Sequence, residues 1–312
     1  MANKHDILAR IRDGGSDQRL VALAELDEVL DVDALDPLLA AVGDGNPAVR
    51  ILAVNLLEEL GDERALPALI GVLADVDAAA SEAARAALRE FRGASAAAPL
   101  IAAVAHADAR VRAGVVFALR EFKEPSTIPV LLRALRDPVA EVRREAVPTL
   151  AFLRDGRTVD ALRLALTDAD AQVRRLTVGA LGFFLSPALL GDLALAANDA
   201  DWQVRREAVI VLGRSAVAGA IPPLRASLDD AFWQVRKEAL LGLGRLRALG
   251  AVTEIANALR SPVPDLRRAA ATAIGPIAPP DAAALLAPLA TDPDAEVRKA
   301  TEHALRALNA YT

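Results

Sequence analysis

Several residue types are scarce in this sequence of 312 residues, and each scarcity excludes a class of structure. The absence of cysteine excludes disulfide bonds, thiolate metal sites and a cysteine nucleophile. Aromatic residues make up only 3% of the chain, and strand-like segments are missing, which indicates an all-helical protein. No stretch approaches about eighteen uncharged apolar residues, so we expect no membrane-spanning helix.

The amino terminus and the charge distribution favour a cytoplasmic protein. The segment from Met1 to Arg10 has no apolar core of the length found in signal peptides. The net charge is −6, with the excess of acidic residues in the first third of the chain. This balance argues against nucleic acid as a partner, although it leaves room for a local basic strip.

A motif that recurs every 31 residues dominates the sequence. Its clearest copy runs from Asp137 through Arg143 to Leu150. Nine of the ten residues in register with Arg143 are arginine, and Ser81 is the exception. A fixed period of this length is typical of stacked repeat proteins, in which each unit buries its apolar face against the next. We therefore predict a single repeat domain that spans residues 1–312.

Each repeat is predicted to contain two helices. Around Asp137, apolar residues recur at helical spacing from Ile128 to Leu135 and again from Val142 to Leu150. Asp137 and its equivalents are expected to cap the second helix of each pair, and such a cap contributes about 1 kcal/mol. The arginine six residues later is expected to reach an aspartate of its own repeat or of the adjacent one.

These motifs resemble the HEAT repeat family, specifically its short HEAT-like repeats of the phycobilisome-lyase type. The matching residues recur along nearly the whole chain, for example as Asp44, Val49-Arg50, Ala53 and Leu57, and as Asp199, Val204-Arg205, Ala208 and Leu212. The resemblance implies an all-α, right-handed α-solenoid of about ten HEAT-like helix pairs, with the second helices along the concave side. Scaffolds, maturation factors, bilin lyases and some DNA repair enzymes share this repeat.

The outward face of the second helices carries a candidate binding groove. At about 100° per residue, Arg144 and its equivalents point away from the core, and six consecutive repeats have a basic residue there. Trp202 and Trp233 each precede a basic residue by four positions, the spacing at which a cation can lie on an indole ring. The predicted groove residues are Arg144, Arg175, Trp202, Arg206, Ile210, Trp233, Lys237, Leu241 and Arg268.

The basic row can be interpreted in two ways, as a binding groove or as an ordinary solvated surface. Glycines at positions 182, 213, 244 and 275 are expected to remove side chains beside the basic row and so to open the groove. The alternative is that the basic row is an ordinary solvated surface, with its charge balanced by Glu145, Glu207 and Glu238, and that both tryptophans only seal turns.

The sequence predicts no catalytic residue, metal site or cofactor. The recurring carboxylates serve once per repeat, as caps and ion pairs do, whereas an active site needs one asymmetric cluster. The leading hypothesis is a non-enzymatic scaffold, adaptor or assembly (maturation) factor that takes an acidic protein surface or peptide into its concave groove. Two alternatives remain open, namely a bilin lyase-type subunit that acts on a phycobiliprotein and a HEAT-like DNA-binding or repair protein.

Overall fold

The computed structural model describes residues 3–309, apart from the side chains of Ala94 and Asn309. Contacts divide the chain into two compact units, Met1–Thr158 and Val159–Thr312. The described residues form twenty α-helices and no strand, which gives five helix pairs in each unit. The prediction of about ten helix pairs is therefore confirmed for residues 3–309, whereas their assembly into a single domain stays a prediction.

In the first unit the odd-numbered α-helix opens each pair and the even-numbered one closes it. The helices are α1 (Lys4–Asp13), α2 (Ser16–Leu26), α3 (Leu35–Ala41), α4 (Pro47–Leu60), α5 (Leu66–Val72), α6 (Ala78–Ala87), α7 (Ala94–Ala103), α8 (Ala109–Ala118), α9 (Ile128–Ala134) and α10 (Ala140–Leu153). The second helices of consecutive pairs pack side by side, from α2 through α4, α6 and α8 to α10.

The second unit repeats this arrangement. Its helices are α11 (Val159–Ala165), α12 (Ala171–Leu181), α13 (Leu190–Ala196), α14 (Trp202–Arg214), α15 (Ile221–Ala226), α16 (Trp233–Arg245), α17 (Val252–Ala258), α18 (Pro264–Ile277), α19 (Ala282–Leu286) and α20 (Ala295–Asn309). Here too the second helices form a continuous layer, from α12 through α14, α16 and α18 to α20, while each first helix packs against its own second helix. Each unit is thus a stack of helix pairs, as expected for an α-solenoid.

The apolar stripe of the second helices forms the core. Leu150 and its equivalents from Leu26 to Ile274 are fully buried, and so are Val142 and Ala146 on the same face of α10. Burial of each leucine contributes about 1.5–3 kcal/mol relative to an exposed side chain. The helical spacing of these residues therefore predicted the buried face correctly.

The recurring arginine and aspartate join successive repeats. The guanidinium of Arg50 binds the carboxylate of Asp75 through Nε and Nη2, at 2.6 and 2.7 Å, while its Nη1 donates to the carbonyl oxygen of Asp44 in its own repeat. We call such an arginine–aspartate pair a rung. Rungs whose partners are 25 positions apart also form at Arg19–Asp44, Arg112–Asp137, Arg174–Asp199, Arg205–Asp230 and Arg267–Asp292. The arginine therefore reaches the aspartate of the following repeat.

The rung aspartates do not cap the second helices in the way that the sequence suggested. Asp44 accepts a hydrogen bond from the backbone N–H of Asn46, two residues later, and thereby shapes the turn. Asn46 is itself the N-cap residue of α4, and its side chain accepts from the N–H of Ala48. The rung aspartate thus has two tasks, to order the turn and to bind the arginine of the preceding repeat.

The glycines beside the basic row are the clearest departure from the sequence-based interpretation. Gly213 and Gly244 are buried rather than open to solvent. A Cβ atom built on Gly213 would lie 2.6 Å from the Cα atom of Gly242, and one built on Gly244 would lie 2.7 Å from the Cα atom of Ala273. These residues let neighbouring second helices approach backbone to backbone, and they do not open a groove.

Candidate functional site

The predicted groove residues are distributed over both units. Arg144 lies on α10 in the first unit, and the other eight lie on second helices of the second unit. Arg175 is on α12, Trp202, Arg206 and Ile210 are on α14, Trp233, Lys237 and Leu241 are on α16, and Arg268 is on α18. All nine are half-buried, and none belongs to the fully buried core. We call the surface formed by Arg206, Lys237, Leu241 and Arg268 the second-helix face of the second unit.

One buried carboxylate organises the centre of this face. Glu238 is only 8% exposed. Its Oε1 lies 3.4 Å from Nη2 of Arg206 and 3.7 Å from Nζ of Lys237. Glu238 thus balances part of the charge of the basic row, as the solvated-surface interpretation expected. These contacts orient the cations of Arg206 and Lys237 towards the carboxylate.

The two tryptophans differ in their surroundings. Nζ of Lys237 lies 5.6 Å from the ring centroid of Trp233, which confirms the predicted cation–π contact on α16. The ring of Trp202 instead stacks on Phe232, with centroids 5.2 Å apart and planes inclined by 9°. Trp202 therefore packs against the turn that precedes α16, and its role as a binding anchor stays a prediction.

A pocket of about 540 Å³ extends the second-helix face towards α20. Of the predicted residues, Lys237, Leu241 and Arg268 line it. The remaining charged or titratable lining residues are Glu238, Glu296, Lys299, Glu302, His303 and Arg306. The pocket wall therefore has four basic side chains against three acidic ones, together with apolar surface from Leu241, so its charge is mixed with a slight basic excess.

Arg175 and Ile210 lie outside this pocket. The Nε of Arg175 donates to the side-chain oxygen of Gln172 at 3.1 Å, a contact within α12. His303, by contrast, lines the pocket but was not predicted. It occupies the same repeat position as Ile210 and Leu241, so the 31-residue register could have indicated it.

Neither a metal-binding cluster nor a membrane-spanning helix is found among the described residues. Within residues 3–309 no three histidine, aspartate or glutamate side chains are grouped so that they could hold a metal ion. In the same part of the chain, no helix combines the length and the apolarity that crossing a membrane requires.

Comparison with solved structures finds the same fold in proteins of low sequence identity. YibA of Escherichia coli is 19% identical, with a TM-score of 0.66, and the match covers 82% of this chain and 95% of that chain. An engineered protein is 19% identical over 99% of both chains, with a TM-score of 0.52. Kap95p, in a structure of its complex with RanGDP, is 14% identical with a TM-score of 0.69, over 99% of this chain and 50% of that chain. At such identities the likeness concerns the fold alone.

The comparison with curated proteins gives no significant match. A family model described as HEAT repeats matches residues 6–89, 97–182, 159–232 and 221–306. These matches leave only short segments uncovered. The helix pairs, rungs and buried leucines described above recur along the chain with the 31-residue period of the sequence motif. The phycobilisome-lyase subtype stays a prediction from the sequence. The chain belongs to the HEAT repeat family.

Proposed function

We propose that the protein is a non-enzymatic scaffold or adaptor that binds an acidic protein surface or peptide on the second-helix face of its second unit. The observation that carries this proposal is the 540 Å³ pocket, which Lys237 and Arg268 line together with the apolar side chain of Leu241. A pocket that combines apolar surface with cations suits a partner that presents a hydrophobic residue flanked by carboxylates. A bilin lyase-type subunit and a DNA-binding protein stay open as predictions, without a contact that favours either one.

The cations of this face differ in how safely they can be changed. Arg206 and Lys237 both contact the buried carboxylate of Glu238, so their reversal would leave that carboxylate among like charges. Arg268 pairs with Asp265, whose side chain is 40% exposed, and Lys299 is itself exposed. Arg268 and Lys299 are therefore the better residues for testing binding without disturbing the fold.

The test compares two double variants with the same change in charge. Arg268→Glu with Lys299→Glu changes the pocket rim. Arg163→Glu with Arg225→Glu changes two arginines of the first-helix layer, which pair with Asp192 and Glu254. The measured quantity is the affinity for a fluorescent glutamate-rich peptide that carries one central leucine, by anisotropy at two salt concentrations, together with the melting temperature.

We expect the pocket variant to lose at least tenfold in affinity, while the control stays within about twofold of the unmodified protein. Binding to the unmodified protein should weaken at the higher salt concentration, because exposed charges are screened. Equal losses in both variants, with unchanged melting temperatures, would show that the peptide responds only to net charge and would refute the proposed site.

A further inference from the structure

One rung of the second unit lacks its carboxylate. In the rungs, the aspartate lies 25 residues after its arginine, as in Arg205–Asp230 and Arg267–Asp292. The residue in this position after Arg236 is Ser261. Within residues 3–309, Arg236 hydrogen bonds only through Nη1, to the carbonyl oxygens of Asp230 at 2.6 Å and Ala231 at 3.1 Å. Its Nε and Nη2 have no acceptor in that part of the chain.

The guanidinium of Arg236 is nevertheless oriented like that of a complete rung. In the Arg205 rung, Nη1 donates to the carbonyl oxygens of Asp199 and Ala200 at 2.9 and 3.1 Å, while Nε and Nη2 bind Asp230 at 2.6 and 3.0 Å. The same pair of carbonyl bonds holds Arg236. Its Nε and Nη2 atoms lack partners among the described residues but are not fully buried, so both are accessible to solvent.

Ser261 can supply a third donor. Its Oγ accepts a hydrogen bond from the backbone N–H of Val263 at 3.2 Å, the N–H that a rung aspartate would bind. The hydroxyl proton of Ser261 remains available to donate to an oxyanion beside it. Two parallel guanidinium N–H groups and a hydroxyl match the acceptor pattern of one carboxylate group.

The charge at this level of the stack also favours an anion. Beside the Arg205 rung, Asp229 and Asp230 line a pocket of about 350 Å³. The residues one repeat later are Arg260 and Ser261, so two acidic positions become one basic and one neutral. The acid that interacts electrostatically with Arg236 is Asp230, and its carboxylate is already paired with Arg205.

The rung pattern is also interrupted in the first unit, but there both the arginine and the aspartate are replaced. The replacements are Ser81 and His106, and the hydroxyl of Ser81 donates to the carbonyl oxygen of Leu73 at 2.8 Å. No arginine is therefore left without a carboxylate there. Where both rung positions lie within residues 3–309, only the one at Ser261 retains the cation while its anion is missing. Arg298, which has no partner position in the sequence, makes the same two carbonyl bonds, to Asp292 and Pro293.

We propose that Arg236 and Ser261 form a binding site for a carboxylate group supplied from outside the chain. The carboxylate takes the place that the rung aspartate occupies elsewhere and accepts from Nε and Nη2 of Arg236 and from the hydroxyl of Ser261. This site is independent of the proposed peptide surface, because neither residue lines the 540 Å³ pocket. Its ligand is a small carboxylate or the side chain of an aspartate or glutamate.

The test follows the Nε–Hε resonance of Arg236 by NMR in the full-length protein. Sodium acetate and the capped tripeptide Gly-Asp-Gly are titrated separately, with sodium chloride replaced so that the ionic strength stays constant. Arg236→Lys identifies the resonance by its disappearance. Ser261→Asp is the decisive variant, because it supplies the missing carboxylate within the chain and is expected to fold at least as well as the original protein.

We expect a saturable shift of the Arg236 resonance in the original protein. In Ser261→Asp the resonance should lie near the shifted position from the start and should not move when acetate is added. Saturation by acetate alone assigns the site to small carboxylates, and saturation by both probes assigns it to acidic side chains. A linear, unsaturable response in the original protein, or an equal shift in Ser261→Asp, would overturn the proposal. Saturation by inorganic phosphate but not by acetate would overturn its assignment to a carboxylate.

Discussion

Replacement of Gly213 by alanine should destabilise the second unit, although alanine is the better helix former. Gly213 is buried on α14, and a Cβ atom there would lie 2.6 Å from the Cα atom of Gly242 on α16. The obstacle is backbone, so the two helices must move apart. Overpacking costs about 1–3 kcal/mol, here towards the upper end, and the gain in helix propensity offsets about 1 kcal/mol. We expect a net loss of about 1–2 kcal/mol.

Gly191 provides a matched control in the same unit. It is exposed on α13, and a Cβ atom there would meet nothing within 4 Å. Alanine at this position removes conformational freedom from the unfolded chain without a steric penalty. Gly191→Ala should therefore raise the stability by about 0.5 kcal/mol, opposite in sign to Gly213→Ala.

The two variants are compared by equilibrium unfolding in urea. Trp202 and Trp233 are the two tryptophans of the chain and both lie in the second unit, so their fluorescence reports on that unit, while far-ultraviolet circular dichroism follows the helices of the whole chain. Repeat arrays can unfold in more than one step, which makes the tryptophan-detected midpoint the relevant quantity. If both variants raise this midpoint, Gly213 faces open space and the close approach of α14 and α16 is wrong.

Further predictions concern the core, the rungs and the second-helix face. Leu181→Ala should lower the free energy of unfolding by about 2–5 kcal/mol, because it leaves a cavity in the core. Arg206→Ala should lower it by no more than about 1 kcal/mol, because Lys237 still faces Glu238. Equal losses of stability in urea titrations would contradict this assignment of the buried and exposed faces. The guanidinium of Arg267 lowers the pKa of Asp292 in the folded protein. The stability that this rung contributes is therefore fully present above the pKa of an unfolded aspartate, about 3.9, and is lost as the pH falls through the lower pKa of the folded state. Asp292→Asn should therefore lower the melting temperature at neutral pH and make it less dependent on pH below about pH 4; an unchanged acid profile would contradict a role of this rung. Ser261→Asp should raise the stability by about 1 kcal/mol at neutral pH by completing the Arg236 rung, and no change in the urea midpoint would show that Arg236 is not positioned to bind a carboxylate.

The candidate site could be predicted only in part. The basic row, the outward direction of Lys237 and its contact with Trp233 followed from helical geometry within α16, because residues four positions apart lie on the same side of a helix. The burial of Glu238 and the stacking of Trp202 on Phe232 depend on residues from neighbouring helices. No spacing within one helix contains that information.

The sequence by itself determined the fold class, the repeat length and the buried face. These properties follow from local periodicity, since a stripe of apolar residues at helical spacing must be buried and a fixed period must stack. The arginine and aspartate of the motif were recognised as partners in the same way, from their strict recurrence.

Only the tertiary structure decided which repeat each partner belongs to and what the glycines do. The rungs join consecutive repeats because the second helices lie side by side, and Gly213 is needed because α14 and α16 touch there through their backbones. Interhelical distance depends on the packing of both layers at once, so the same glycine pattern is compatible with an open groove or a close contact. The arginine of an incomplete rung could likewise be placed only after the complete rungs had shown where a carboxylate binds.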